Sequence, residues 1–495
     1  MSRTGQVLHS PLNRTTLEEP ARSEAHSPDA VTTSLVRSSG TAIVGGLFSQ
    51  ALKAAVMIYV ARAFGTAEFG SFSFANSINA FLFIIAQFGL PVFGAREVAQ
   101  TSRLEWGLLR AVTAARLLLA VSGTLVALAV LYFVPGVTRT EYWLVAGFGL
   151  SNVALSGFFG WTFQGMGRLH LWAAVNIAWQ ALWLVFTIAV FYSHGSITLV
   201  SFGFAAAALM AGMLGWPRLR QLMHLPGGVT SAPAYSVRSV IGASANLGAG
   251  TLLITVLVWT DTIIVRFVKG QQAAGAYAAG NRVALALAML ASYYVLGAFP
   301  KLSYTALNRP GEFSEYFQRV YQDLALLFIP GSIWAFTYAP QIMLVLFKHS
   351  DYLAGVGVFR AFQVTLLLSV FSNLYGMGAL VPHRRDRAYR KALLLSAVAL
   401  LVSCPALTLR WGLGGAAIAV LLSQALCMAL FVAQAWDIIQ AEHLKTLGVP
   451  ALIGMVPILL AVVFHLGFWF ATSALVVVYL VIVFWRQPLA AATAE

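Results

Sequence analysis

The stretch Gly65-Thr-Ala-Glu-Phe-Gly70-Ser-Phe72-Ser-Phe-Ala-Asn76 returns 205 residues later as Gly270-Gln-Gln-Ala-Ala-Gly275-Ala-Tyr277-Ala-Ala-Gly-Asn281. Both copies read G-x4-G-x-aromatic-x3-N, and each joins one long apolar segment to the next. Six predicted spans separate the copies. An even number preserves chain direction, so the spacing predicts two parallel six-helix repeats about an axis along the membrane normal. A second echo pairs Gly165-Met166-Gly167 with Gly376-Met377-Gly378.

Outward from that repeat, the 495-residue chain is 59% hydrophobic and 10% charged. Soluble chains carry about 25% charged residues, so three soluble domains are excluded. From residue 38 onward the apolar stretches match the roughly 20 residues that cross a bilayer. Fourteen such spans are predicted, from 39–64 to 468–485, the last two joined near His465–Phe468 by almost nothing. The expected fold is an all-α integral membrane protein: two six-helix parallel-repeat lobes around a central cavity, plus two C-terminal helices. The expected domains are a disordered cytoplasmic tail (1–37), an N-lobe (38–220), a C-lobe (221–440), and two final helices with a short cytoplasmic end (441–495). Residues 1–37 lack the apolar core of a cleavable signal peptide.

The formal charge of +14 comes from 31 Lys+Arg against 17 Asp+Glu. In a soluble protein such an excess suggests nucleic acid. Here position along the chain decides otherwise. With the N-terminus inside, twenty-one basic residues fall in cytoplasmic segments and seven in outer loops and helix ends. That bias follows the positive-inside rule, puts both termini in the cytoplasm and removes the nucleic-acid reading. The densest run, His383 to Lys391, is then an inner loop that anchors topology or meets anionic lipid. Arg62 and Arg266 are expected to be interfacial.

Three basic residues remain within spans: Lys53, Arg116 and Arg282. Intramembrane charges cost about 2.5–3.5 kcal/mol on insertion scales and are rarely accidental. Lys53 continues a stripe of Thr41, Gly45 and Ser49 at four-residue spacing, one helix face. Asn76, Asn79 and Gln87 mark the second span. Ser244, Gly248, Thr251, Thr255 and Thr262 mark the seventh, with Asp261 at its outer end. A cationic cavity containing Lys53, Arg116 and Arg282, with Asn76, Asn281 and Gln164, suits an anion such as phosphate, pyrophosphate or an acidic sugar. The alternative for the charges is internal pairing, for example Asp261 with Arg282. For Asn76 and Asn281 it is helix packing or capping. Asp261 is the ion-coupling candidate.

Catalytic signatures are missing: no HExxH, GxSxG or P-loop occurs. Cys404 and Cys427, both in apolar runs, exclude a disulfide scaffold or a cysteine zinc site. Neither cofactor nor metal is expected, nor is an enzyme; a membrane polysaccharide polymerase or ligase needs a longer outer loop than any predicted here.

Tyr59-Val-Ala-Arg-Ala-Phe-Gly-Thr-Ala-Glu-Phe-Gly70-Ser-Phe resembles the signature of bacterial polysaccharide flippases, the O-antigen and exopolysaccharide translocases of the multidrug/oligosaccharidyl-lipid/polysaccharide exporter superfamily. Further similar stretches follow in order: Gln87-Phe-Gly-Leu to Ala95-Arg96-Glu97, Trp161-Thr-Phe-Gln164-Gly165, Thr260-Asp261-Thr-Ile-Ile with Gly275-Ala-Tyr277, and Gly412-Leu-Gly-Gly-Ala-Ala. Gln87 stands where many relatives carry an acid. The resemblance implies a fourteen-helix inner-membrane flippase moving an undecaprenyl-diphosphate-linked oligosaccharide to the outer leaflet. It also implies O-antigen, capsule or exopolysaccharide assembly beside a polysaccharide polymerase and chain-length regulator. Multidrug/cation and lipid II exporters of the superfamily are the neighbouring alternatives; the basic excess disfavours the first.

Overall fold

The computed structural model describes residues 28–101, 105–223, 235–439, 468–470 and 472–477. Among them the regular structure is helical: α1 (Pro28–Gln87), α2 (Leu90–Thr101), α3 (Trp106–Phe133), α4 (Arg139–Ser156), α5 (Gly160–Gly165), α6 (Leu169–Tyr192), α7 (Thr198–Met223) and α8 (Val237–Lys269). There follow α9 (Gln271–Asn308), α10 (Pro310–Thr337), α11 (Ala339–Phe347), a 3-10 turn (Ser350–Gly355), α12 (Val356–Asn373), a π-helical turn (Leu374–Leu380) and α13 (Asp386–Ala435). Eight of the described helices are long and apolar enough to cross a membrane, or nine when α10 and α11, bent by 85°, count as one span. Residues 1–27 of the expected tail lie outside the described residues, and α1 already begins at Pro28. The predicted thirteenth span lies outside them too, as does most of the fourteenth.

α1 runs 60 residues and α13 runs 50, far more than one crossing needs. Each breaks at a glycine: Gly65 (φ 81°) and Gly412 (φ 62°). The predicted first and second spans are the arms of α1, and the eleventh and twelfth are the arms of α13. Polar caps start other helices. Thr138 and Glu141 form a capping box on α4, and Ser236 and Ser239 form one on α8. Pro217, Pro300, Pro330 and Pro405 sit inside helices, as membrane spans tolerate. Large apolar side chains face outward, Leu125 at 61% exposure and Val402 at 70%, a surface only lipid solvates well.

The repeat is visible in space. Gly65 (φ 81°, ψ 176°) and Gly270 (φ 88°, ψ −178°) adopt one left-handed conformation, which only glycine reaches without strain. Five residues on, Gly70 and Gly275 cross at the junction of the two copies. A Cβ on Gly70 would lie 1.9 Å from the Gln271 carbonyl oxygen, and one on Gly275 would lie 1.9 Å from the Thr66 carbonyl oxygen. Thr66 and Gln271 are themselves 205 residues apart, so the contact is reciprocal. Gly275→Ala should cost about 1–3 kcal/mol by overpacking against backbone. A melting temperature in detergent equal to the parent's would contradict this.

The second echo is not reproduced. Gly167 (φ 69°) ends α5 in a left-handed turn, whereas Gly376 and Gly378 lie within the π-helical turn, in helical backbone. Sequence likeness there reflects two different local structures.

Packing divides the buried side chains. α8, α9, α10, α12 and α13, with the π-helical turn, build one core among themselves, around Tyr277, Tyr321, Leu374, Leu400 and Phe431. A second joins α1, α4, α6 and α7 to α11 near the repeat junction, with Phe72, Phe148, Trp183, Phe347 and Tyr352. A third packs Val98, Val112 and Trp161 of α2, α3 and α5. In the basic run, Arg385 makes a bidentate bond to Asp437 (2.8 and 2.5 Å) and holds its carboxyl below the ordinary range.

Candidate cationic cavity between the helices

Lys53 lies on the first arm of α1, and Arg282 lies on α9. Both line a chamber of about 200 Å³, together with Asn76 and Trp259. A second chamber, of about 300 Å³, shares Lys53, Asn76, Gln50 and Trp259 and extends toward α6. The two form one cleft whose walls come from both sequence repeats.

Arg282 is held but not neutralised. Its guanidinium sits 4.3 Å from the Trp259 ring centroid, a cation–π contact. One nitrogen donates to Ser77 Oγ at 3.2 Å, with the Ser73 carbonyl oxygen at 3.5 Å. Nε and Nη1 are buried without a partner. Ser77 is the repeat-equivalent of Arg282, since 77 and 282 differ by the same 205 positions. Arg282 therefore meets its own counterpart at the junction of the repeats. Lys53 makes no ion pair among the described residues. Asn76 is 4% exposed and its Nδ2 has no partner. Among the described residues no carboxylate lines either chamber. These three side chains thus converge with donor atoms left unpartnered.

The other expected residues lie elsewhere. Asn281, the equivalent of Asn76, donates to Asp261 Oδ2 at 3.1 Å. Tyr277 Oη donates to the same oxygen at 2.8 Å, and the Thr262 amide donates to Oδ1 at 2.6 Å. Asp261 is thus solvated by its neighbours and forms no ion pair with Arg282. The alternative of an Asp261–Arg282 ion pair is not formed in this geometry. Asp261 and Asn281 border a separate cavity of about 60 Å³ with Thr365, Ser369 and Gln424. Asp261 is the one carboxylate lining the cavities described.

Arg116 and Gln164 border a chamber of about 330 Å³ beyond the Lys53 chamber, sharing Phe83, Trp172 and Trp179 with it. Gln164 is exposed there. Arg116 is 3% exposed, but Nη1 donates to the Phe158 carbonyl (2.9 Å) and Nη2 to the Leu155 carbonyl (2.5 Å). It caps the C-terminus of α4, where unsatisfied carbonyls gather. Arg62 does the same for α11, donating to the Leu346 and Val345 carbonyls. Arg266 is buried within the protein: it is 8% exposed and pairs with Glu141 of α4 and the Gly136 carbonyl.

Sequence reasoning missed Trp259 as the platform for Arg282. It also missed the α6 face of Trp172, Asn176, Trp179 and Gln180 that walls the larger chamber. Its spacing of i, i+4, i+7, i+8 was the available signal.

The arrangement matches known folds over nearly its whole length. The lipid II flippase MurJ in an inward closed conformation superposes with a TM-score of 0.71, at 13% identity over 90% of this chain and 99% of that one. A eukaryotic MATE transporter, AtDTX14, gives 0.57 at 12% identity over 85% and 98%. A MOP superfamily transporter from Pyrococcus furiosus gives 0.55 at 12% identity over 82% and 95%. No curated protein matches the sequence. The family model for polysaccharide biosynthesis proteins matches residues 35–305, over half of the chain, and the protein belongs to that family.

Proposed function

We propose that the protein is a flippase that carries an undecaprenyl-diphosphate-linked oligosaccharide across the bacterial inner membrane, from the cytoplasmic to the outer leaflet. The observation that carries the reading is the chamber where Lys53, Arg282 and Asn76 converge with donor atoms left unpartnered. A diphosphate supplies the missing acceptors, and guanidinium and ammonium groups bind it well. Family membership supports polysaccharide assembly as the setting, whether O-antigen, capsule or exopolysaccharide. A polymerase and chain-length regulator would then take the product.

The transport step is alternating access between an N-lobe (38–220) and a C-lobe (221–440), with both termini cytoplasmic. The headgroup and glycan enter the cleft while the polyprenyl tail stays in lipid. The reciprocal glycine contact marks the axis about which the lobes rock. Asp261, with its small adjoining cavity, is our ion-coupling residue. Net movement requires the ligand or ion to bind one state better than the other. The protein acts by binding and rocking, without bond chemistry.

The likeness to a lipid II flippase favours a second reading, in which the cargo is lipid II. A cationic multidrug cargo is disfavoured by a chamber with two cations and no carboxylate. The test is mass spectrometry of lipids in a strain lacking the protein. An undecaprenyl-diphosphate oligosaccharide should accumulate on the cytoplasmic side. Accumulation of lipid II would support the second reading, and accumulation of neither would overturn both.

A further inference from the structure

The larger chamber carries a second chemistry that the Lys53 and Arg282 pair does not use. Trp172, Asn176, Trp179 and Gln180 lie on one face of α6 and line it. The second arm of α1 faces them with Asn79 and Phe83. The adjoining chamber continues the wall with Trp161, Gln87 and Gln164. The wall therefore combines flat aromatic rings with neutral amides.

Four polar atoms in this wall are buried without a hydrogen bond: Gln180 Oε1, Asn76 Nδ2, Trp161 Nε1 and Arg116 Nε. Their residues are 6%, 4%, 3% and 3% exposed. Buried polar groups in folded proteins nearly always find a partner, so four orphans in one cleft call for a ligand. They include both an acceptor and donors, which a hydroxyl satisfies in either sense. One Trp179 face is taken by Phe204, stacked at 4.8 Å. Trp172, with no ring partner among the described contacts, is the platform left for a ligand.

The charge pattern narrows the class. Apart from Lys53 at the end shared with Arg282, the wall's one cation is Arg116. Both of its terminal nitrogens are bonded to the α4 carbonyls. Only its Nε is unspent, so no forked pair of donors remains for a carboxylated sugar, and among the described residues no carboxylate lines the wall for an amino sugar with a free ammonium.

We infer that this first-half chamber is a glycan subsite that selects an uncharged pyranose next to the diphosphate. The axial C–H face of the sugar stacks on Trp172, and its hydroxyls pair with Gln180, Asn176 and Trp161. The subsite rests on the flippase reading above, since the diphosphate at Lys53 and Arg282 places the first sugars along α6.

The full-length protein in lipid nanodiscs is titrated with three lipids: bare undecaprenyl diphosphate, the same lipid bearing a neutral disaccharide, and one bearing a uronic-acid disaccharide. The parent should bind the neutral form tightest and the acidic form no better than the bare lipid. Trp172→Ala should weaken the neutral form about tenfold, the size of a lost buried contact, and bring its affinity toward that of the bare lipid. Gln180→Met keeps the side-chain volume, removes the orphan oxygen and should act in the same direction. Equal weakening of all three lipids by both variants, or no change in any, would overturn the subsite. So would acidic and neutral glycans binding alike. Failure of the parent to bind even the bare diphosphate lipid would remove the flippase reading first, and the subsite with it.

Discussion

Arg282→Ala is expected to reduce export of the lipid-linked glycan to background, while the protein still reaches the membrane in parental amounts. The two properties separate because of how Arg282 is held. One nitrogen reaches Ser77, but Nε and Nη1 have no partner within the protein. Removing the side chain breaks no ion pair among the described residues, and Asp261 keeps its bonds from Tyr277, Asn281 and the Thr262 amide. The loss falls on the ligand. A hydrogen bond to a charged group contributes about 1.5–3 kcal/mol, so two lost bonds amount to at least a hundredfold in affinity. Arg282→Lys keeps the charge but gives up the planar stack on Trp259 and the forked donors, and should recover only part of the activity. Complementation of a strain lacking the flippase reads the outcome. Full restoration of surface polysaccharide by Arg282→Ala would remove this residue from the site.

Much of the fold was legible because a membrane imposes strong rules. Apolar length marks the spans, and the constant offset of 205 between two glycine-rich turns marks the repeat. The reciprocal approach of Gly70 and Gly275 is that offset in three dimensions. The site was less legible, and Arg116 and Arg282 show why. Sequence depth treats both alike, as cations well inside a span. Yet Arg116 faces the carbonyls at the end of α4, 39 and 42 residues away, while Arg282 faces a cleft. Which neighbour a buried cation meets is a property of tertiary packing, and hydropathy carries no information on it. Lys53 and Asn76 were placed better, because a stripe of polar residues at helical spacing has no stable place against lipid. Asn76 and Asn281 occupy equivalent positions and have diverged: one is an unpartnered donor, the other holds Asp261. A repeat preserves the backbone more strictly than the chemistry it presents.

Glu141→Ala should be the most destabilising single change on the opposite side of the molecule's chemistry, away from any cargo. Glu141 is fully buried and works twice. Its carboxylate accepts from the Thr138 amide at 2.9 Å, closing the capping box of α4, and pairs with Arg266 of α8. Arg266 is also buried, and its other contacts are the Gly136 carbonyl at 2.9 Å and the Phe74 ring, 5.9 Å from its guanidinium carbon. Deleting the acid leaves a guanidinium charge with little water and no counterion. Breaking a buried pair from one side costs about 3–5 kcal/mol, and losing the cap adds about 1 kcal/mol. Replacing both partners is a different matter, because a buried pair gains little over a well-packed apolar one. Glu141→Gln with Arg266→Met should therefore melt well above Glu141→Ala, and nearer the parent. Thermal unfolding in detergent, followed by size-exclusion fluorescence, orders the three proteins. A double variant no more stable than the single one would show that neither the stranded charge nor the cap, whose acceptor Gln keeps, sets the loss. A single variant melting with the parent would mean that the α4–α8 contact does not depend on the pair at all.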